Sequence, residues 1–185
     1  MSAKAIMSND LFTLTPDVTV ADALQAMCDH KVHNIPVVDR DGAFVGLFSL
    51  RRITHALLPM AAQVEEGGLN IDMSFVTDSS DAYLDRLVQI GHKPISEFLE
   101  KKKKLRFCEP NTPIPRILQL LSENPTSLPV VVVKGKKKKV VGMVSTWDVL
   151  TKIATSLSSR IADLKSAREA AEEQPQPSDG EVSDA

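Results

Sequence analysis

The chain has 185 residues, 43% of them hydrophobic and 25% charged, with a formal net charge of −2. That suffices for one sizeable core or two small ones. Its longest apolar runs, such as residues 130–133, fall far short of the roughly 20 residues of a membrane span. Residues 1–10 lack the apolar centre of a secretory signal, and Cys28 and Cys108 each stand alone, with no disulfide framework or thiolate metal site; a cytoplasmic protein without a membrane partner is expected.

In chain order, Val20, Ala23, Leu24 and Met27 follow helical spacing, and Thr19 with Asp22 makes a capping box in front of them. The strand "NIPVVD", the turn "RDG" and the strand "AFVGLFS" follow, which predicts a hairpin leading into a second helix. A long connection comes next. Its "GG" at 67–68 predicts a break, and "DSSDAYLDRLVQIG" predicts a helix with apolar Leu84, Leu87 and Val88 and a stop at Gly91. We expect that helix to pack on the module, reaching over a cleft. Ile114, Ile117, Leu118 and Leu121 then repeat the first helical pattern, with Thr112 as N-cap and Pro113 as first helical residue. The strand "SLPVVVV", the turn "KGKKKK" and the strand "VVGMVS" repeat the hairpin. A final helix from about Thr146 to Glu173 places Leu150, Ala154, Leu157, Ile161 and Leu164 on one seam of two heptads. The acidic end, residues 174–185, is too poor in apolar groups to fold.

The plan is strand, helix, strand, strand, helix, used twice. At about 60 residues each copy is marginal alone, so the two should pack together with pseudo-twofold symmetry. The expected organisation is a first domain at 1–63, a partly helical insert at 64–92, a second domain at 93–155, a helical extension at 156–173 and the tail. Two four-lysine runs, 101–104 and 136–139, are read as solvated surface, with contact to acidic protein or nucleic acid as the alternative.

"HNIPVVD" with "GLFSLRR", and "TSLPVVVV" with "GMVSTWD", resemble the paired repeats of the cystathionine-β-synthase-type (CBS) family over about Leu11 to Thr155, the central insert apart. The resemblance implies an α/β (α+β) fold of two tandem β-α-β-β-α repeats, plus a helical insert and a long C-terminal helix. It also implies a non-enzymatic regulatory module, of the kind used in energy sensing, with an adenosine-type ligand of the AMP, ADP or ATP class between the repeats. Carried over residue by residue, it places Ser145 and Asp148 on the ribose, within a motif opened by Gly142, and Leu128, Pro129 and Val130 around the base. The first copy matches at Asn34, Ile35, Pro36 and Ser49 but has Arg52 where the family has aspartate, which makes it the weaker site.

The residue chemistry supports this. A carboxylate at 148 can accept two hydrogen bonds from a cis-diol, whereas arginine has five donors and no acceptor and can only clamp phosphate oxygens. Ser145 stands where a strand enters a helix, so free N–H groups would favour a phosphate there. Ser-x-x-Asp is equally a helix capping box. His30 and His33 could share a helix face, but no cluster completes a metal site; His55 and Arg51 could reach phosphates; Trp147 could stack on a base or bury against a helix. No nucleophile, catalytic group or catalytic cofactor is legible. Two functions remain open: a nucleotide sensor that changes shape or dimer geometry for a separate effector protein, and a ligand-free scaffold that forms homodimers or binds partners through its basic hairpin. No specific nucleic-acid binding is expected.

Overall fold

The computed structural model describes residues 2–58, 80–124 and 128–172. The break expected at Gly67 and Gly68, the N-cap of the insert helix and the acidic tail lie outside them. The chain divides into two compact units, Met1–Asp148 and Val149–Ala185.

In the first unit, α1 (Val20–His30) starts at Thr19, whose side chain accepts from the Asp22 N–H as the capping box predicts. Strands β1 (Asn34–Val38) and β2 (Phe44–Ser49) form an antiparallel hairpin. Gly42 sits in its turn at φ +78°, where a side chain would be strained. Helix α2 (Leu50–Leu57) begins directly behind β2, with Ser49 as its N-cap. The opening strand of this repeat is reduced to one parallel bridge, Leu14 to Val37. The second repeat has the complete plan: β3 (Arg106–Cys108) runs parallel to β4 (Val130–Lys134), with α4 (Ile114–Ser122) between them in sequence. β5 (Lys139–Val144) pairs antiparallel with β4 and leads into α5 (Thr146–Glu172).

Three sequence expectations change at this level. Thr112 is not the cap of α4, which begins after Pro113 with no side-chain cap; the Thr112 hydroxyl instead accepts from the Glu109 N–H at 3.0 Å and closes the preceding turn. The buried face of α4 is Ile117 and Leu120, with Leu118 outside. The insert helix α3 (Ser80–Gly91) packs against α1 and α2, and it does so through Leu87 and Ile90, leaving Leu84 and Val88 exposed. It belongs to the first repeat's core, and its Ile90 also lines a cavity of about 400 Å³ beside α2.

The packing crosses between the repeats. Ile95 and Phe98 are buried in the first core with Val20, Ile35, Phe48 and Ile53, although they follow the insert in sequence. The Ile95 N–H donates to Val18 O at 2.9 Å, and the Glu100 N–H to Leu47 O at 2.9 Å. In the mirror arrangement the first residues lie on the second repeat: the Ala3 N–H donates to Thr112 O at 2.8 Å, and the Ser8 N–H to Met143 O at 2.9 Å. Leu47 meets Leu105 and Leu128 where the two sheets join, with Phe44, Phe107 and Met143 around them.

These crossings explain the glycines of the two "G-x-x-S" stretches. A Cβ at Gly46 would stand 2.6 Å from Leu99 Cδ1, and one at Gly142 would stand 2.6 Å from Met7 Sδ. Both positions are places where a side chain from ahead of the other repeat lies on the strand.

The lysine hairpin is tied to its own molecule. The Phe44 N–H donates to Lys138 O at 3.2 Å, Lys137 Nζ lies 3.5 Å from Asp41 Oδ2, and Lys138 Nζ stands 5.3 Å from the Phe107 ring centre. The second unit, within the described residues, is the rest of α5. Along it Leu150, Ile153, Leu157, Ile161 and Leu164 are 44 to 71% exposed.

Candidate functional site

At the end of β5 the chain turns into α5, and the corner is held by a reciprocal capping box. The Ser145 N–H donates to Asp148 Oδ2 at 2.7 Å, the Ser145 hydroxyl donates to the same oxygen at 2.5 Å, and the Asp148 N–H donates back to Ser145 Oγ at 3.2 Å. Asp148 Oδ1 accepts only from the Ser8 hydroxyl, at a long 3.3 Å, among the hydrogen bonds of the described residues. A carboxylate has about four acceptor positions, so Oδ1 keeps capacity for an incoming hydroxyl.

Asp148 lines a cavity of about 630 Å³, within the roughly 300–1,000 Å³ typical of small-molecule sites. One wall comes from the second repeat: Pro129, Met143, Ser145, Trp147 and Asp148. The other comes from the first half of the chain: Ser8, Asp10, Leu11 and Phe12, then Lys31, Val32, His33 and Asn34. The second group is placed by the end of α1. Lys31 adopts the left-handed conformation, φ 53°, so that its N–H can return to Cys28 O and the chain can turn sharply into β1. Phe12 is fixed by stacking on His30, ring centres 4.0 Å apart. Trp147, which also lines the cavity, stands 72% exposed.

The corresponding corner of the first repeat is filled. Ser49 Oγ accepts from the Arg52 N–H at 3.1 Å, as Ser145 does from Asp148, but its hydroxyl donates to the carboxylate of Glu100. The other oxygen of Glu100 receives Arg51 Nη2 at 2.7 Å. Glu100 is 4% exposed and Ser49 is 1% exposed.

The CBS domain family model matches residues 3–59 and 95–155, the two repeats described above. The chain belongs to the CBS domain family. A CBS domain-containing protein of Dictyostelium discoideum is 28% identical over 148 residues, 80% of this chain and 87% of that protein. Among solved structures, CBSX2 in complex with AMP superposes with a TM-score of 0.60 at 19% identity, over 85% of this chain and 98% of that one; CBSX2 is a CBS-pair protein from Arabidopsis thaliana. The CBS domain pair of protein MJ0100, solved with 5′-methylthioadenosine and S-adenosyl-L-methionine, gives 0.59 at 17% identity, over 84% and 98%. These likenesses show the CBS pair fold.

With the CBS pair in place, the residues expected to form sites can be located. They do not group repeat by repeat. The cavity joins Ser145, Asp148 and Pro129 of the second CBS repeat to Asn34 of the first. Leu128 is buried against Leu47 and Leu105, Val130 is fully buried in the sheet, and Gly142 lies under Met7, so these three do not line it. Ile35 and Pro36 are buried in β1. The Ser145 N–H, expected to face a phosphate, is taken by Asp148 itself. Arg52 lies away from the cavity and lines a separate one of about 400 Å³ with His55, Lys93 and Lys101.

Four features had no signal in the repeat: Ser8, Phe12, Lys31 and Glu100. Ser8 and Glu100 reach their corners by pairing with a distant strand, Phe12 is placed by stacking on His30, and Lys31 is placed by the left-handed end of α1. Among the described residues no group of three or more His, Cys, Asp or Glu could hold a metal.

Proposed function

We propose that this chain is a regulatory module that takes an adenosine-type ligand, of the AMP, ADP or ATP class, in the Asp148 cavity. Its occupancy changes shape or dimer geometry for a separate effector protein, and the module carries no catalytic group of its own. The observation that carries this is the division of labour within one carboxylate. Oδ2 is spent on the helix cap, while Oδ1 keeps acceptor capacity on a side chain that lines a cavity of about 630 Å³. A ribose diol would take the place of the Ser8 hydroxyl, whose 3.3 Å bond is easily given up. Trp147, exposed and lining the same cavity, offers a stacking surface for a base, and Lys31 a cation for a phosphate. That CBSX2 and the MJ0100 pair were solved with AMP and with methylthioadenosine and S-adenosylmethionine supports the adenosine class.

A thermal-shift series with AMP, ADP, ATP, 5′-methylthioadenosine, S-adenosylmethionine, NAD and GMP tests the reading. A ligand at a hundredfold excess over Kd stabilises by about 2.7 kcal/mol, a shift of several degrees for a protein of this size. No shift from any adenosine compound at millimolar concentration would sink it and favour the ligand-free scaffold. The apolar stripe of α5 supports self-association as the means of signalling. Sedimentation should show a dimer at tens of micromolar, reduced by Leu157→Asp with Ile161→Asp.

A further inference from the structure

The two CBS repeats differ in what stands at one register position, and from that difference we infer that Ser49 and Arg51 form an oxyanion seat of which Glu100 is the built-in occupant. Glu100 reaches the seat through its backbone pairing with Leu47, just as Ser8 reaches Asp148 through its pairing with Met143. The chain therefore presents residues 100 and 8 to equivalent corners. Where residue 8 is a short serine, a cavity remains. Where residue 100 is a long carboxylate, its two oxygens are divided between a buried hydroxyl and a guanidinium at 2.7 Å.

That arrangement is the one two non-bridging oxygens of a phosphate would adopt: one accepts from Ser49, the other from the arginine. The seat is built rather than incidental, because Ser49 and Glu100 are both more than nine-tenths buried and the Glu100 N–H is pinned to the adjacent strand. Two consequences follow. The wild-type chain takes one external ligand, since its first corner is already occupied. Shortening residue 100 turns the same corner into a site for a small oxyanion.

The test is Glu100→Ser, which copies the second repeat's serine, with inorganic phosphate as the probe in calorimetry. The variant should bind one phosphate at least tenfold more tightly than the wild type does, and the gain should vanish in Glu100→Ser combined with Arg51→Ala. Affinities within twofold across the three proteins would overturn the proposal. Glu100→Gln, which keeps the side chain's shape but removes its charge, gives a second comparison if the serine variant does not fold. It should show a smaller gain that is still lost with Arg51, and no gain would count against the seat. The wild type should bind AMP at one per chain; two equivalent sites would overturn the proposal as well. Absence of AMP binding would tell against the Asp148 reading alone, because the phosphate comparison does not depend on it.

Discussion

The corner at Ser49 and the corner at Ser145 are built alike: a strand ending in Gly-x-x-Ser, a serine capping the helix that follows, and a segment from ahead of the other repeat lying along the strand. One corner is closed by an ion pair between a buried carboxylate and a partly exposed arginine, and the other opens on a cavity. Duplication of the backbone thus did not duplicate the site. The residues that decide between the two outcomes, Glu100 and Ser8, lie outside the repeated motif and arrive from its partner.

The largest effect that would break this comparison is expected at Arg51. Removing it leaves the Glu100 carboxylate buried without its cation, so Arg51→Ala should cost about 3 kcal/mol in urea unfolding. Ser8→Ala removes a long, exposed hydrogen bond and should stay within about 0.5 kcal/mol. Equal costs would show that the corners differ less than the hydrogen bonds say.

Asp148→Ala comes next. It should weaken adenosine-ligand binding by about 1.5–3 kcal/mol through loss of charge-assisted bonds, and lower stability by about 0.5–2 kcal/mol through loss of the cap. Calorimetry and melting on the same protein separate the two, and unchanged affinity would make Asp148 a cap only.

The glycines sharpen the comparison further. Gly46→Ala drives a methyl into Leu99 and should cost about 1–3 kcal/mol. Gly142→Ala meets the thioether of Met7, which can rotate aside, and should cost less. The order would reverse only if Leu99 moves more freely than Met7.

The smallest difference concerns the two thiols. Burial pushes the Cys108 thiol above its ordinary 9.0, with a hydrogen bond from Thr112 opposing in part, whereas Cys28 is exposed. Thiol labelling near neutral pH should therefore modify Cys28 well before Cys108. The contribution of the buried neutral Cys108 is present below pH 9.0 and is lost as pH rises past its raised value.

Local rules were enough for α1 with its Thr19 box and for both hairpins, because capping and alternation act within a few residues. They misplaced the start of α4, where Thr112 served a turn three residues back and not the helix ahead. The Ser145 and Asp148 pair was legible from its spacing, as was the capping geometry. That Asp148 would face Asn34, and not Leu128, was not legible, since it depends on how the two sheets meet. Glu100 reads in the sequence as one more charge beside a lysine run. Only pairing with a strand some fifty residues earlier gives it a role.

The crossed segments also say how this chain must come into being. Ala3 is fully buried against a turn that ends at Thr112, so the segment around it has no place to go until residue 112, more than a hundred residues later, has been made. Ile95 and Phe98 complete the first core only after the insert has been synthesised. Neither repeat can be cut out at its sequence boundary without losing wall or core, and folding of the two should register as one cooperative event. A single-repeat chain could make the same contacts only by exchanging its leading segment with a second copy.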